Sequence, residues 1–199
     1  MYENYRQKLF PTLSRASPAI FALILFINCA INPSYESFYI FIIHFIVIFS
    51  NFFIKNLIFK PIYNLLGKKK IKFLGLGERP DGANSCSFTL DNKDSKSFGM
   101  PSGHSQTAWT LVTYIIFKIS YNFKNSNNSN NKDIKNYIWF IVSCISLISI
   151  SIYISYSRVY IEGCHTIQQV IIGALIGIGS GFLIFYYEDD IKKTIKNII

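Results

Sequence analysis

Five apolar runs separated by polar stretches organise the chain, and their order predicts a helical bundle lodged in a membrane. The first, Ser17–Asn32, is the shortest, with 16 residues against the roughly 20 that a crossing helix needs. It extends back to Leu13 if Arg15 snorkels to headgroup level. Asn32-Pro33-Ser34 then turns the chain into Ser37–Phe59, and Pro61 is expected to break that helix. The third run starts at about Ser102 and reaches Ser120, the fourth is Tyr137–Tyr156 and the fifth Thr166–Tyr187. Within the fifth, Gly173, Gly177 and Gly181 recur at four-residue spacing, a stripe that lets two helices approach closely. Arg6, Lys8 and Arg15 before the first run also suit a signal peptide, but no Ala-x-Ala site follows, so a retained anchor is expected.

The polar stretches carry separate expectations. Residues 68–100 form a long loop with Gly75, Gly77, Pro80, Gly82 and Gly99, and a loop of that length is usually functional or disordered. Tyr121–Asn136 is rich in Asn, Ser and Lys and reads as a solvated connection. Glu188–Ile199 reads as a short charged tail. Residues 1–199 are therefore taken as one all-α, membrane-embedded domain of about five transmembrane helices.

Composition agrees with the pattern. Half of the 199 residues are hydrophobic, and mean hydropathy is +0.28 despite a net charge of +9. The basic residues lie between apolar runs, Lys68-Lys69-Lys70 above all, and so mark membrane flanks rather than a nucleic-acid surface. Cys29, Cys86, Cys144 and Cys164 are dispersed without a CxxC pair, which predicts neither a disulfide framework nor a zinc site. With no acidic cluster either, neither metal nor other cofactor is expected.

Each apolar run reverses the chain's side, so parity puts three polar groups at one end of the bundle. They are Lys72 with Arg79-Pro80, then Pro101-Ser102-Gly103-His104, then Ser157-Arg158 with His165. Pro101 and Ser102 are helix-start residues, and the Ser102 hydroxyl can cap free amides. Gly103 lets an anion approach the first amides of a helix. Lys72, Arg79 and Arg158 supply the positive charge that a transferring phosphoryl group needs, with Arg suited to bidentate contact. His44, alone in the second run, is expected to hydrogen-bond a neighbouring helix, while Ser105 and Gln106 simply continue theirs. Glu162 either orients His165 or faces solvent. Cys164 beside His165 invites a nucleophilic role that no motif supports.

These three groups resemble the motifs of the type 2 phosphatidic acid phosphatase superfamily. Lys72, the six residues Phe73–Glu78 and Arg79-Pro80 match the first, and Pro101–His104 the second. Ser157-Arg158 and His165 resemble the third, with one residue more between them than the family pattern has and Gln169 where it has Asp. Gly99-Met100-Pro101, Tyr156–Tyr160, His165-Thr166 and Gln169-Val170 look like the dolichyl diphosphatase branch, in which Gln takes the Asp position. The resemblance implies that His165 attacks phosphorus to give a phosphohistidine, that His104 protonates the leaving oxygen, and that Gln169 steadies His165. Gln169→Asp is then expected to be tolerated or faster. A lipid-linked phosphate in the bilayer is the implied partner, polyprenyl diphosphate first and phosphatidic acid-type lipids second. An endomembrane of the endoplasmic-reticulum type, with the site facing lumen or exterior, is the implied location. The competing view is a non-catalytic protein that keeps the fold and binds phospholipid headgroups. Soluble haloperoxidases share the motifs but not the apolar spans.

Overall fold

Long apolar stretches uninterrupted by breakers become long helices, and helices account for most of the described residues. The structure, a computed structural model, describes residues 2–69, 71, 73, 75–83, 98–126 and 134–198, with side chains described between residues 12 and 194. In order, the elements are α1 (Tyr2–Ile31), α2 (Tyr35–Phe53), a π-helical segment (Ile54–Phe59), α3 (Lys60–Leu65), α4 (Gly103–Ser126), α5 (Ile134–Tyr156), a second π-helical segment (Ser157–Ile161) and α6 (Ile167–Ile198). Because α2, its π segment and α3 run on without interruption, the bundle has five rods. Among the described residues there is no strand, only the isolated bridges Ile71–Leu76 and Glu78–Phe98.

Among the described residues, four stretches are long and apolar enough to cross a membrane: Thr12–Ile31, Tyr35–Leu65, Ile134–Ile161 and Ile167–Thr194. The expected fifth, on α4, is a helix of 24 residues that lacks this apolarity. Its position explains the difference. Ser105, Gln106, Thr107, Thr110 and Thr113 of α4 are all buried, so this helix lies inside the bundle and hydrogen-bonds its neighbours instead of facing lipid. Ser105 Oγ donates to the Val170 carbonyl of α6 (2.9 Å), and Trp109 Nε1 to Ser155 Oγ of α5 (3.1 Å). The outer rods show the opposite habit, with Phe38, Ile42 and Phe49 of α2 more than half exposed.

Helices α4 and α6 run parallel and touch backbone to backbone. A methyl group at Gly173, Gly177 or Gly181 would collide with the carbonyls of Ser102, Gln106 and Thr110 respectively. The glycine stripe is therefore the seam predicted from its spacing. At the far end, Lys118 Nζ (2.7 Å) and Tyr114 Oη (3.2 Å) donate to the buried Glu188 carboxylate. Glu188 belongs to the helix, not to a charged tail, and α6 continues to Ile198.

Other boundaries differ from expectation too. Pro61 does not end its helix. It sits in the first turn of α3, directly after the wide π segment, where its missing donor is tolerated. Tyr121–Ser126 and Ile134–Asn136 are helical rather than part of a solvated connection, and the rest of that stretch lies outside the described residues. His44 does bridge helices, its Nε2 donating to the Pro18 carbonyl of α1 (2.9 Å).

Candidate active site

The first turn of α4 meets the α5–α6 connection through the backbone. The Ser102 amide donates to the Gln169 carbonyl (3.1 Å), which holds the α4 and α6 N-termini side by side. At the end of α5 the register widens: the Glu162 amide reaches the Ser157 carbonyl five residues back (2.8 Å). The amides of Cys164 (2.9 Å) and His165 (3.2 Å) then both turn onto the Arg158 carbonyl. Gly163 takes φ +61°, which a side chain would resist. The residue inserted before His165 is accommodated here, since a π turn is an α turn with one residue added.

A cavity of about 220 Å³ lies at this junction, bordered by Arg79, Gly103, His104, Arg158 and His165 among others. Five of the residues named from sequence thus share one wall. Pro101 and Ser157 are buried beside it, Pro80 is half-buried next to Arg79, and Lys72 lies outside the described residues. Two polar groups are left with open valences. Arg79 Nε and Nη1 are buried with no hydrogen-bond partner, and so is Ser102 Oγ, which does not cap its helix as expected. A buried guanidinium edge without an acceptor is costly unless an anion completes it. Burial and the neighbouring Arg158 charge lower the Arg79 guanidinium to about 10, so it stays charged at neutral pH.

His165 is almost fully buried, and its Nδ1 pairs with Gln169 Oε1 (3.1 Å). The Gln169 amide has one permitted orientation, because its Nε2 donates to the carbonyls of Gly75 and Glu78 (3.1 Å each). Oε1 must therefore face His165, which places the imidazole proton on Nδ1 and leaves Nε2 as the free lone pair. Both carbonyls belong to the described loop residues 75–83, where Leu76 packs with Tyr63 and Met100. An aspartate at position 169 has no donor for those carbonyls, and each orphaned group costs about 1–3 kcal/mol. Against the expectation from family pattern alone, Gln169→Asp should slow turnover about tenfold or more, measured as kcat on purified protein.

Burial first, and then the charges of Arg79 and Arg158, hold the His165 imidazole well below its ordinary pKa. A lowered pKa means that the neutral, nucleophilic form persists as pH falls through the usual histidine range. Nitrogen NMR of ¹⁵N-histidine-labelled protein should show an unprotonated His165 Nε2 still present at about pH 5.5. Two protonated ring nitrogens there would contradict this arrangement.

Glu162 neither orients His165 nor faces solvent. Its buried carboxylate accepts from Arg158 Nη1 (2.7 Å), Arg15 Nε (2.8 Å) and Ser157 Oγ (3.1 Å). Arg15 therefore turns inward from α1 instead of snorkelling. Its backbone carbonyl accepts from His104 Nε2 (3.0 Å), fixing that ring. Pro18 prepares this turn of α1 by withholding an amide from the Ser14 carbonyl, which takes the Ser17 hydroxyl instead (2.8 Å).

Asn51 and Lys55, which also border the cavity, escaped the sequence reading. Gln106 does more than continue its helix: its Oε1 accepts from Asn51 Nδ2 (2.8 Å), locking α2 to α4 beneath Gly103. The signal was available, since polar side chains one turn apart within an apolar run usually mark a site. Cys164 is disulfide-bonded and offers no nucleophile; Cys29 and Cys144 are free.

Compared with known proteins, the chain matches the model of the PAP2 superfamily over residues 39–193. No curated protein and no solved structure matches it.

Proposed function

Because the chain belongs to the PAP2 superfamily, whose members are generally phosphatases, we propose that it hydrolyses a lipid-linked phosphate or diphosphate through a phosphohistidine. The observation that carries this reading is the pair of unpartnered Arg79 nitrogens in a cavity that also holds two histidines. Arg79 and Arg158, with Lys72 as the family motif implies, neutralise the equatorial phosphoryl oxygens, and Ser102 and the Gly103 amide add neutral donors. His165 Nε2 attacks phosphorus as the bond to the leaving oxygen breaks. That oxygen takes a proton from His104, whose Nε2 stays on the Arg15 carbonyl while Nδ1 serves the substrate. The bound phosphate dianion favours the protonated form of His104 that this step needs. Water, giving a proton to His104 Nδ1, then attacks phosphorus and breaks the P–N bond, which releases phosphate and restores neutral His165 and protonated His104.

A polyprenyl (dolichyl-type) diphosphate is the favoured substrate, supported by the residues around the motifs, with phosphatidic acid-type lipids second. Phosphate release from these lipids by purified protein in detergent, without added metal, tests the reading. Stoichiometric binding of headgroups with no release would support a non-catalytic protein instead.

An endomembrane location with the site towards lumen or exterior is part of this proposal. The surplus of basic residues on the site face points weakly the other way. In sealed vesicles, a cysteine placed at Lys69 should react with an impermeant maleimide only from the luminal or exterior side, and one at Lys124 only from the cytosol. Cytosolic labelling of position 69 would reverse the assignment.

A further inference from the structure

A second cavity, of about 400 Å³, adjoins the first and shares Lys55 with it. Lys55 sits in the π segment Ile54–Phe59, and Lys60 and Asn64 follow on α3, with Asn56 and Lys68 also on the wall. The partition between the cavities is made by Lys55 and by two consecutive loop residues, Arg79 bordering the first and Glu78 the second. Gln169 pins that partition through the Glu78 carbonyl. Lys55, Lys60, Lys68 and Glu78 thus all line this space, and among the described residues the three lysines form no ion pair. On the same rod Leu57 (69 % exposed) and Leu65 (86 % exposed) are available to lipid.

We infer that the second cavity receives the phosphate that stays with the lipid, so that the two cavities together hold a diphosphate monoester. This rests on the first cavity's binding the phosphoryl group that is transferred. The terminal phosphate occupies the histidine cavity, Lys55 reaches the bridging region, and the inner phosphate meets Lys60 and Lys68 while its tail passes towards the apolar face of the rod. When the P–O bond to the terminal phosphorus breaks, the bridging oxygen leaves with the inner phosphate and is protonated by His104. Lys55 beside that oxygen stabilises the charge that develops there. A monophosphate leaves the second cavity empty and forgoes this contact.

Calorimetric titration of the purified full chain with inorganic phosphate and with methylenebisphosphonate, a diphosphate that cannot be hydrolysed, tests the inference. The bisphosphonate should bind about tenfold tighter than phosphate or better, consistent with an added charge-assisted contact. Lys55→Gln and Lys60→Gln should each shrink that ratio about three- to tenfold, and Lys55→Arg should restore most of it. Lys69→Gln, outside both cavities, should keep the wild-type ratio. Lys60 is exposed on α3, so its variant reports even if Lys55→Gln misfolds. Equal affinity of wild-type protein for the two probes, or the same loss at Lys69 as at Lys60, would overturn the second site. A preserved ratio with no turnover of a prenyl diphosphate would support the site and sink the phosphatase reading instead.

Discussion

Alanine at His165 should bring phosphate release down to background, a loss on the order of 10⁴-fold or more, as expected for removal of a covalent nucleophile. No substitute lies at hand. Cys164 is committed to a disulfide, and His104 is tied to α1 through the Arg15 carbonyl. The fold should survive, because His165 makes one neutral side-chain hydrogen bond, worth about 1 kcal/mol. Its partner atom, Gln169 Oε1, keeps the Thr166 amide (3.3 Å) and is not orphaned. A near-native thermal midpoint with no turnover is the expected pair of results.

Arg158→Lys should cost about a hundredfold to a thousandfold in kcat, although the charge is conserved. The guanidinium is completely buried, and it has two tasks that only a planar fork can share: one edge serves the cavity while Nη1 holds Glu162. An ammonium reaches one of these places at a time. Arg158→Ala should lose more, because Glu162 would keep only Arg15 as a charged partner, and breaking a buried pair costs about 3–5 kcal/mol. Parallel kcat and thermal-midpoint measurements separate the effects. A lysine variant with lowered midpoint but unchanged kcat would make Arg158 purely structural.

The all-α class, the glycine seam and the grouping of the three motifs were legible in the sequence, because each rests on a spacing: apolar runs, glycines every fourth residue, and the parity of reversals. The central place of α4 was not legible, for a physical reason. A threonine and glutamine face that would be unfavourable in lipid is satisfied inside a bundle, so apolarity alone cannot separate a lipid-facing helix from a central one. The partners Arg15 and Glu162 lie 147 residues apart, a contact that no local pattern encodes. Gln169 shows the same limit. Its family position suggested an exchangeable carboxylate, whereas the amide also donates to two carbonyls more than 90 residues away in sequence.

The central claim is that phosphorus becomes bonded to one imidazole nitrogen. Purified protein mixed with a ³²P-labelled lipid phosphate or diphosphate should be quenched within the first turnover, digested under conditions that preserve phosphoramidates, and mapped by mass spectrometry. Label is expected on His165, absent in His165→Ala and formed more slowly in His104→Ala when the leaving group is poor. Label on any other residue, or full turnover with His165 replaced, would contradict it.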